Sequence, residues 1–446
     1  MQHRPGIKPG PGSSAQHNGL MIDVIGTDAG APGTLPPAAQ RLVQQAQLVA
    51  APKRVLPALQ QWPGCPPNLR WMASDDPIAL SDILLKLEPG QQAVVLASGD
   101  PLWFGIGRIL IERLGRDNLR FHPGPSSLQL AFARLGRPWQ NAEWISLHGR
   151  DPAPLARRLQ QRPNALAVLT DPSRGGVADV RSILHTSGLE ASYALWLCEA
   201  LGHGDERVQQ LAPTDAIPSD LNPLHLVVLL AEPAADPIPD QLPLFGIEDG
   251  IYLQHDDRPG LMTKREVRIQ LLAELDLPPT GVLWDLGAGT GSVGLEALRL
   301  QPQLQLMAVE RRSGGGRLIH ANARRLGVEP AAVIEGDALS VLEQLPDPDR
   351  VLLGGGGRQR QALLQAVIAR MKPGGVVVIP MATLEAVGEL RPLLSEAGWS
   401  VRMHQHQSWR GMPLAEGTRL SPMNPVLVLQ GRKLRHGPPE STITHR

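Results

Sequence analysis

Between Val282 and Gly291 the chain reads Val-Leu-Trp-Asp-Leu-Gly-Ala-Gly-Thr-Gly, its densest concentration of residues suited to chemistry. An apolar run that turns abruptly glycine-rich and resumes as Ser-Val-Gly-Leu-Glu-Ala-Leu predicts a strand, a tight turn and a helix. Glycine lets the backbone approach a ligand where a Cβ would clash. The free N–H groups of the helix start face that ligand. Gly287, Ala288, Gly289, Thr290 and Gly291 are therefore the expected wall of a nucleotide-type site. Gly289-Thr-Gly-Ser-Val-Gly294 also satisfies the dinucleotide pattern, so a nicotinamide cofactor is one alternative and a ligand-free turn another. Three features favour S-adenosylmethionine. Asp285, two residues before the first glycine, is placed to accept from the ammonium of a methionine moiety. The run Leu304 to Val309 ends in Glu310, positioned for the ribose hydroxyls, as in nicotinamide enzymes too. The run Ala331 to Ile334 leads into Gly336-Asp337-Ala338, a place to hold adenine that the nicotinamide fingerprint lacks.

Elsewhere, Ser98-Gly-Asp-Pro101 follows an apolar strand and Pro123-Gly-Pro-Ser-Ser127 precedes a helix. Each reads as a cofactor loop or, more plainly, as an Asp-Pro turn and a serine cap. Thr263-Lys-Arg-Glu-Val-Arg268 predicts a helix start, with Thr263 as N-cap and Glu266 completing a capping box. His404 and His406 share one face of a strand, either as acid–base groups or on the solvent side.

The elements that position these residues alternate between strand and helix, which predicts an α/β protein with mostly parallel sheets. In the first half, strands are expected at Leu20, Leu48, Ala93, Asn118, Trp144, Ala167, Tyr193 and His225. In the second half they are expected near Gly281, Leu304, Ala331, Arg350, Val376, Val401 and Val426. Residues 1–19 read as a disordered tail, 20–231 as one domain and 232–242 as a proline-rich linker. Residues 243–433 read as a second domain and 434–446 as a polar tail. The 446 residues carry 43 basic and 43 acidic side chains, so no electrostatic footprint for nucleic acid is present. Two cysteines exclude a disulfide framework and suggest a cytoplasmic protein, and no apolar run is long enough to cross a bilayer.

In the first half, Val24-Ile-Gly26, Gly99-Asp-Pro101, Pro123 to Arg134, Ser146-Leu-His-Gly-Arg150 and Leu169-Thr-Asp171 stand together. That series resembles the N-terminal half of the precorrin-6Y C(5,15)-methyltransferases of cobalamin synthesis, within the tetrapyrrole methylases. The resemblance extends to the C-terminal half through Thr263 to Arg268, Trp284 to Val293, Ile334 to Ala338 and Leu353-Gly-Gly-Gly-Gly357. It implies a two-lobed tetrapyrrole methylase fold followed by a Rossmann-like class I methyltransferase fold. Each would have its own S-adenosylmethionine site. In the first, Gly99, Asp100, Ser126, Ser127 and the neighbourhood of Thr170 would line it; in the second, Thr263 joins the glycine turn. Two departures bear on the first site: Asp28 stands where the family has glycine, and Ala51-Pro-Lys-Arg54 where it has a glycine-rich turn.

The implied reaction is methylation of precorrin-6B at meso carbons 5 and 15, with loss of the ring-C acetate as CO2, to give precorrin-8X. Gly354, Gly355, Gly356 and Gly357 would leave room for the planar macrocycle against bare backbone, although a flexible loop reads the same way. The carboxylate-rich substrate calls for cations, with Lys264 and Arg268 foremost, then Arg265, Arg358 and Arg410; any of these is otherwise a surface charge. The protonated, conjugated macrocycle can serve as the electron sink for decarboxylation, so no metal is required, and the resemblance implies a self-associating protein. The rival readings are a methyltransferase acting on RNA, a non-catalytic S-adenosylmethionine-binding protein and a nicotinamide oxidoreductase.

Overall fold

A computed structural model of the chain describes residues 21–27, 34–88, 90–232, 235–354, 357–414 and 417–435. The expectations for the N-terminal tail, Asp28, Gly355, Gly356, the side chain of Arg358 and residues 436–446 lie outside what is described.

The chain divides into two compact units. One comprises Met1–Gln140 with Cys198–Gln209 and Leu221–Leu226; the other comprises Asn141–Leu197, Gln210–Asp220 and Val227–Arg446. Compactness thus draws its line inside the first half of the chain, away from the proline-rich stretch.

In the first unit, β1 (Ile22–Thr27), α1 (Pro37–Gln45), β2 (Leu48–Ala51), α2 (Leu56–Gln60) and β3 (Arg70–Ala73) come first. They are followed by α3 (Pro77–Leu84), β4 (Ala93–Ser98), α4 (Gly107–Leu114), β5 (Leu119–His122) and α5 (Ser127–Leu135). The strands form a parallel sheet in the order β3-β2-β4-β1-β5. β1 and β4 are central, and their near-continuous apolar runs are buried on both faces: Ile25 and Val94 pack to one side, Val24 and Val95 to the other.

The chain continues through β6 (Glu143–Ser146), α6 (Ala153–Leu159), β7 (Ala165–Leu169), α7 (Val177–Thr186), β8 (Tyr193–Glu199), β9 (Arg207–Leu211) and β10 (His225–Ala231). These strands make a second sheet in the order β6-β7-β10-β8-β9. The strand expected at Trp144 stops at Ser146, because His148, Gly149 and Arg150 fold into a turn: the N–H of Gly149 donates to Asp171 Oδ2 at 2.8 Å.

The C-terminal part contains α8 (Arg265–Leu275), β11 (Thr280–Leu286), α9 (Ser292–Leu300), β12 (Gln303–Glu310), α10 (Gly315–Leu326) and β13 (Ala332–Glu335). Next come α11 (Ala338–Val341), β14 (Arg350–Leu353), α12 (Arg360–Arg370), β15 (Val376–Met381), α13 (Leu384–Glu396) and β16 (Ser400–His406). The chain closes with β17 (Trp409–Leu414), β18 (Gly417–Pro422) and β19 (Val426–Arg432). Seven strands form one sheet in the order β13-β12-β11-β14-β15-β19-β16, parallel from β13 to β15, with β19 antiparallel to both of its neighbours. β11 lies where the strand order reverses, so the crevice for a ligand opens at its carboxyl end. Val282, Trp284 and Leu286 of β11 pack on one face of the sheet and Leu283 on the other, which fixes its register. β17 and β18 form a hairpin that the sequence reading did not include.

The helix predicted at Thr263 begins at Arg265, and its N-cap Lys264 makes no side-chain capping bond. The carboxylate that would complete the capping box is engaged elsewhere, and so is the N–H of the first helical residue. Glu266 is held by Arg410 at 2.8 and 2.9 Å, and the Arg265 N–H donates to Asp249 Oδ1 at 3.0 Å.

Candidate functional site

After Leu286 the chain turns through Gly287, Gly289 and Gly291, whose φ angles of 80°, 58° and 79° favour glycine. The turn is pinned by two backbone bonds: Gly287 and Ala288 donate to Val309 at 2.8 and 3.0 Å. From the end of β12, Glu310 accepts the N–H of Gly289 at 2.7 Å through Oε2 and that of Arg312 at 2.8 Å through Oε1. Gly336 follows β13 and donates to the Glu310 carbonyl at 2.9 Å. Three strand ends are thus drawn together around one residue, Glu310.

They enclose a cavity of about 580 Å³, within the range of small-molecule sites. Thr263, Lys264, Gly287, Ala288, Gly289, Thr290, Glu310, Gly336, Asp337, Ala338 and Gly354 all line it. Asp337 also caps α11 by accepting from the Leu339 N–H at 3.1 Å. Gly291 lies outside the lining and serves the turn, where an added Cβ would sit 3.1 Å from Ile319 and Leu295. Gly357 is likewise outside the lining.

Two residues expected in the site lie beneath it. Asp285 is buried, and its Oδ2 accepts the Gly294 N–H at 3.2 Å. Burial pushes its carboxyl pKa up to about 7, with that backbone bond opposing and the charge of Glu310 adding to the rise. It supports the turn from below and is not among the residues lining the cavity. Arg268 is fully buried, not at the pocket rim. Its guanidinium donates to Glu296 at 2.9 Å, to Asp249 at 2.6 Å and to the Thr263 carbonyl at 2.6 Å. Lys264 and Arg268 lie one helical turn apart, and so on the same side of the helix, yet Lys264 at the helix start lines the cavity while Arg268, one turn further in, is claimed by Glu296 and Asp249. Arg410 is also buried against Glu266, and Arg265 is tied to the Gly246 carbonyl at 2.6 Å.

Of the expected cations whose side chains are described, Lys264 is the one that lines the cavity, which also takes in Arg311 and Arg312. Its Nζ donates to the Gly260 carbonyl at 3.0 Å. Burial lowers its pKa to about 8; Asp249 opposes that shift, while Arg162, Arg410 and Arg268 add to it.

The sequence reading missed His255, which is buried in the wall of this cavity with no hydrogen-bond partner for Nε2. It also missed Gln160, which belongs to the chain's first half yet lines the same space. No short motif marked either residue. The hydroxyl of Thr290 is buried in the lining and lacks a partner as well. An acid for a diol, orphaned polar atoms and a glycine turn admitting close backbone approach are the donor and acceptor set that an adenosine-bearing ligand requires.

In the first unit, Gly99 (φ 70°) lies against Ser126 and Ser127: a Cβ there would sit 3.5 Å from the Ser126 Cα and 3.8 Å from the Ser127 N. Gly26 and Gly124 meet so closely that a Cβ on either would come within 2.4 Å of the other's backbone. Ser126 caps α5 in a full capping box with Gln129, and Asp100 accepts from the Leu102 N–H at 2.8 Å. Their local bonds are those of a cap and a turn, while the glycine contacts bring the two loops together. Thr170 is buried in the other unit. Beside it, Asp171 accepts from Ser173 Oγ at 2.6 Å and from the Gly149 N–H, and these bonds hold its pKa down at about 2.

The strand order, the glycine turn and Glu310 define the C-terminal part as an α/β domain with a site for an adenosine-bearing cofactor. A family model described as a precorrin methyltransferase domain matches residues 253–433, and one for tetrapyrrole (corrin/porphyrin) methylases matches residues 21–213. A precorrin-6Y C(5,15)-methyltransferase [decarboxylating] of Sinorhizobium sp is 36% identical over 313 residues, 70% of this chain and 74% of that protein. A probable cobalt-precorrin-6B C(15)-methyltransferase (decarboxylating) of Pyrobaculum aerophilum is 34% identical over 186 residues, covering 41% of this chain and 94% of that protein. Among solved structures, a precorrin-6Y C5,15-methyltransferase from Geobacter metallireducens GS-15 is 32% identical, covering 43% of this chain and 100% of that one, with a TM-score of 0.41. The chain belongs to the family of decarboxylating precorrin-6Y C(5,15)-methyltransferases.

Proposed function

We propose that the chain methylates precorrin-6B at meso carbons 5 and 15 and removes the ring-C acetate carboxyl as CO2, yielding precorrin-8X. The observation that carries this reading is the cavity at the β11 turn. It joins a cofactor wall, with Glu310 and the Gly287–Thr290 backbone, to a half-buried ammonium, Lys264, and a strand end at Gly354 that presents no side chain. The C-terminal part is assigned carbon 15 and the decarboxylation, in line with the name of the Pyrobaculum relative that matches this part alone. The N-terminal half takes carbon 5.

When bound, S-adenosylmethionine supplies an electrophilic methyl group, at one site per half in this reading. In the C-terminal site, Glu310 accepts from the ribose hydroxyls, the Thr290 hydroxyl and nearby backbone hold the remainder, and Gly336 to Ala338 border the base. Lys264 pairs with a substrate carboxylate and orients the macrocycle, so that positioning supplies most of the catalysis. Gly354 leaves the macrocycle space. In the N-terminal half, Gly99, Asp100, Ser126, Ser127 and Thr170 are assigned to the other cofactor site. The partner is a small tetrapyrrole, and a cytoplasmic, self-associating protein without nucleic-acid or membrane ligands completes the reading. Among the described residues, no helix is long and apolar enough to cross a membrane.

The test is the product mass from purified protein, S-adenosylmethionine and precorrin-6B. Gain of two methyl groups with loss of one CO2 is expected. One methyl with CO2 loss would leave only the C-terminal activity, and an unchanged mass would overturn the reading.

A further inference from the structure

β16 is the outer strand of the seven-stranded sheet and, among the described residues, pairs with β19 alone. On such a strand, alternate side chains stand on one face, so His404 and His406 project together. Their ring centroids are 6.0 Å apart. Glu274, near the end of α8, reaches the same place from the helix: its Oε1 is 3.0 Å from His404 Nδ1. One ligand atom from each of the three residues falls within 4.8 Å of the others. His406 Nε2 is shut off from solvent and has no hydrogen-bond partner. None of the three residues lines the cavity at the β11 turn, so the methyl-transfer reading makes no use of them.

We propose that Glu274, His404 and His406 form a binding site for a divalent transition-metal ion of the zinc type. The donor set is two imidazoles and one carboxylate, which suits zinc and its neighbours better than calcium or magnesium. Tetrahedral zinc with bonds of about 2.0–2.1 Å holds its ligand atoms at roughly 3.4 Å from one another. The His404–Glu274 separation is already close to that. Rotation about the histidine side-chain bonds brings the third atom in, leaving a fourth position for water. The ion would bridge His404 and His406 of β16 to Glu274 of α8. The site serves the fold and stands apart from the transfer of methyl groups.

The experiment is a titration of the chelator-treated, dialysed full chain with zinc chloride, against His404→Ala, His406→Ala and Glu274→Gln, with a chromophoric chelator as competitor. Cobalt(II) chloride in place of zinc gives a second readout through its visible ligand-field absorption. We expect one equivalent bound with micromolar or tighter affinity, weakened at least tenfold by each substitution. We also expect cobalt bands of tetrahedral or five-coordinate intensity that vanish in the histidine variants. S-adenosylmethionine binding is expected to persist in every variant, which verifies that each is folded. Zinc stoichiometry and affinity unchanged by all three substitutions would place any bound ion elsewhere on the chain and overturn the proposal. So would the absence of binding below millimolar zinc.

Discussion

Arg410 grips Glu266 with two parallel hydrogen bonds, Nε to Oε1 at 2.8 Å and Nη2 to Oε2 at 2.9 Å, across 144 positions of sequence. Its remaining nitrogen, Nη1, donates to the Ser187 carbonyl at 3.1 Å. One buried guanidinium on the β17 strand thus fixes the first turn of α8, immediately after the Thr263–Lys264 stretch that lines the cofactor cavity. Removing one member of such a pair leaves the other desolvated and uncompensated. Arg410→Met is therefore expected to cost about 2–4 kcal/mol, read from the chemical unfolding midpoint. Arg410→Met combined with Glu266→Gln should be less destabilising than the sum of the two single changes. Strict additivity would show that the pair is not coupled.

How much of this was legible in the sequence depended on distance along the chain. β11 and β12 are buried on both faces, so their apolar runs declared them, and the glycines at 287, 289 and 291 turned out to need their positive φ. The hairpin of β17 and β18 was not legible: Pro413, Gly417 and Pro422 read as breakers, while Trp409, Leu414 and Leu420 are exposed and give no inward stripe. Arg268 shows the other limit. Its type and spacing suit a carboxylate ligand, but its partners Asp249 and Glu296 are 19 and 28 positions away, and only the fold reveals that they claim it.

Lys264 yields a pH prediction. In the proposed reading its ammonium holds a substrate carboxylate, and burial lowers its pKa to about 8. Substrate affinity should fall as pH rises through that value, with protons taken up on binding above it. Lys264→Arg, which stays charged, is expected to move the falling limb to higher pH. Lys264→Met should weaken substrate binding by about tenfold to a hundredfold, the worth of a hydrogen bond to a charged group, with S-adenosylmethionine affinity little changed. A pH profile identical in the wild type and Lys264→Arg would remove Lys264 from substrate binding.

Asp285 separates support from ligation. A carboxyl raised to about 7 in the folded state binds its proton more tightly there than in the unfolded chain. Between the ordinary carboxyl pKa of about 4 and that value, folding stability from this group therefore declines as pH rises. The decline amounts to a few kcal/mol at most, at about 1.4 kcal/mol per pH unit. Asp285→Asn should flatten that slope and still accept from the Gly294 N–H. Because Asp285 is not in the cavity lining, S-adenosylmethionine affinity should fall only severalfold. A loss of a hundredfold or more in calorimetry would restore the ammonium-binding role that its position in the sequence suggested.

Gly260 is where the first half of the chain enters the second site. Its φ is 82°, and a Cβ added there would stand 2.1 Å from the Gln160 carbonyl oxygen. Backbone cannot yield as a flexible side chain would, so Gly260→Ala must move the segment that carries Leu261 to Lys264. The neighbouring Arg162 holds the other side of this junction by donating to the Asp249 carbonyl at 2.6 Å and to Ser192 Oγ at 2.6 Å. The Gly260 carbonyl is also the acceptor for Lys264 Nζ, so displacement there reaches the cavity directly. Gly260→Ala is expected to destabilise the protein by more than about 1 kcal/mol from the left-handed backbone alone. It should also weaken C-terminal methylation and decarboxylation together. Arg162→Lys, which keeps the charge but loses the fork, should weaken the same pair of activities more mildly. If Gly260→Ala left both C-terminal activities intact, Gln160 would be only a neighbour of the site, and the fusion of the two halves would add nothing to its geometry.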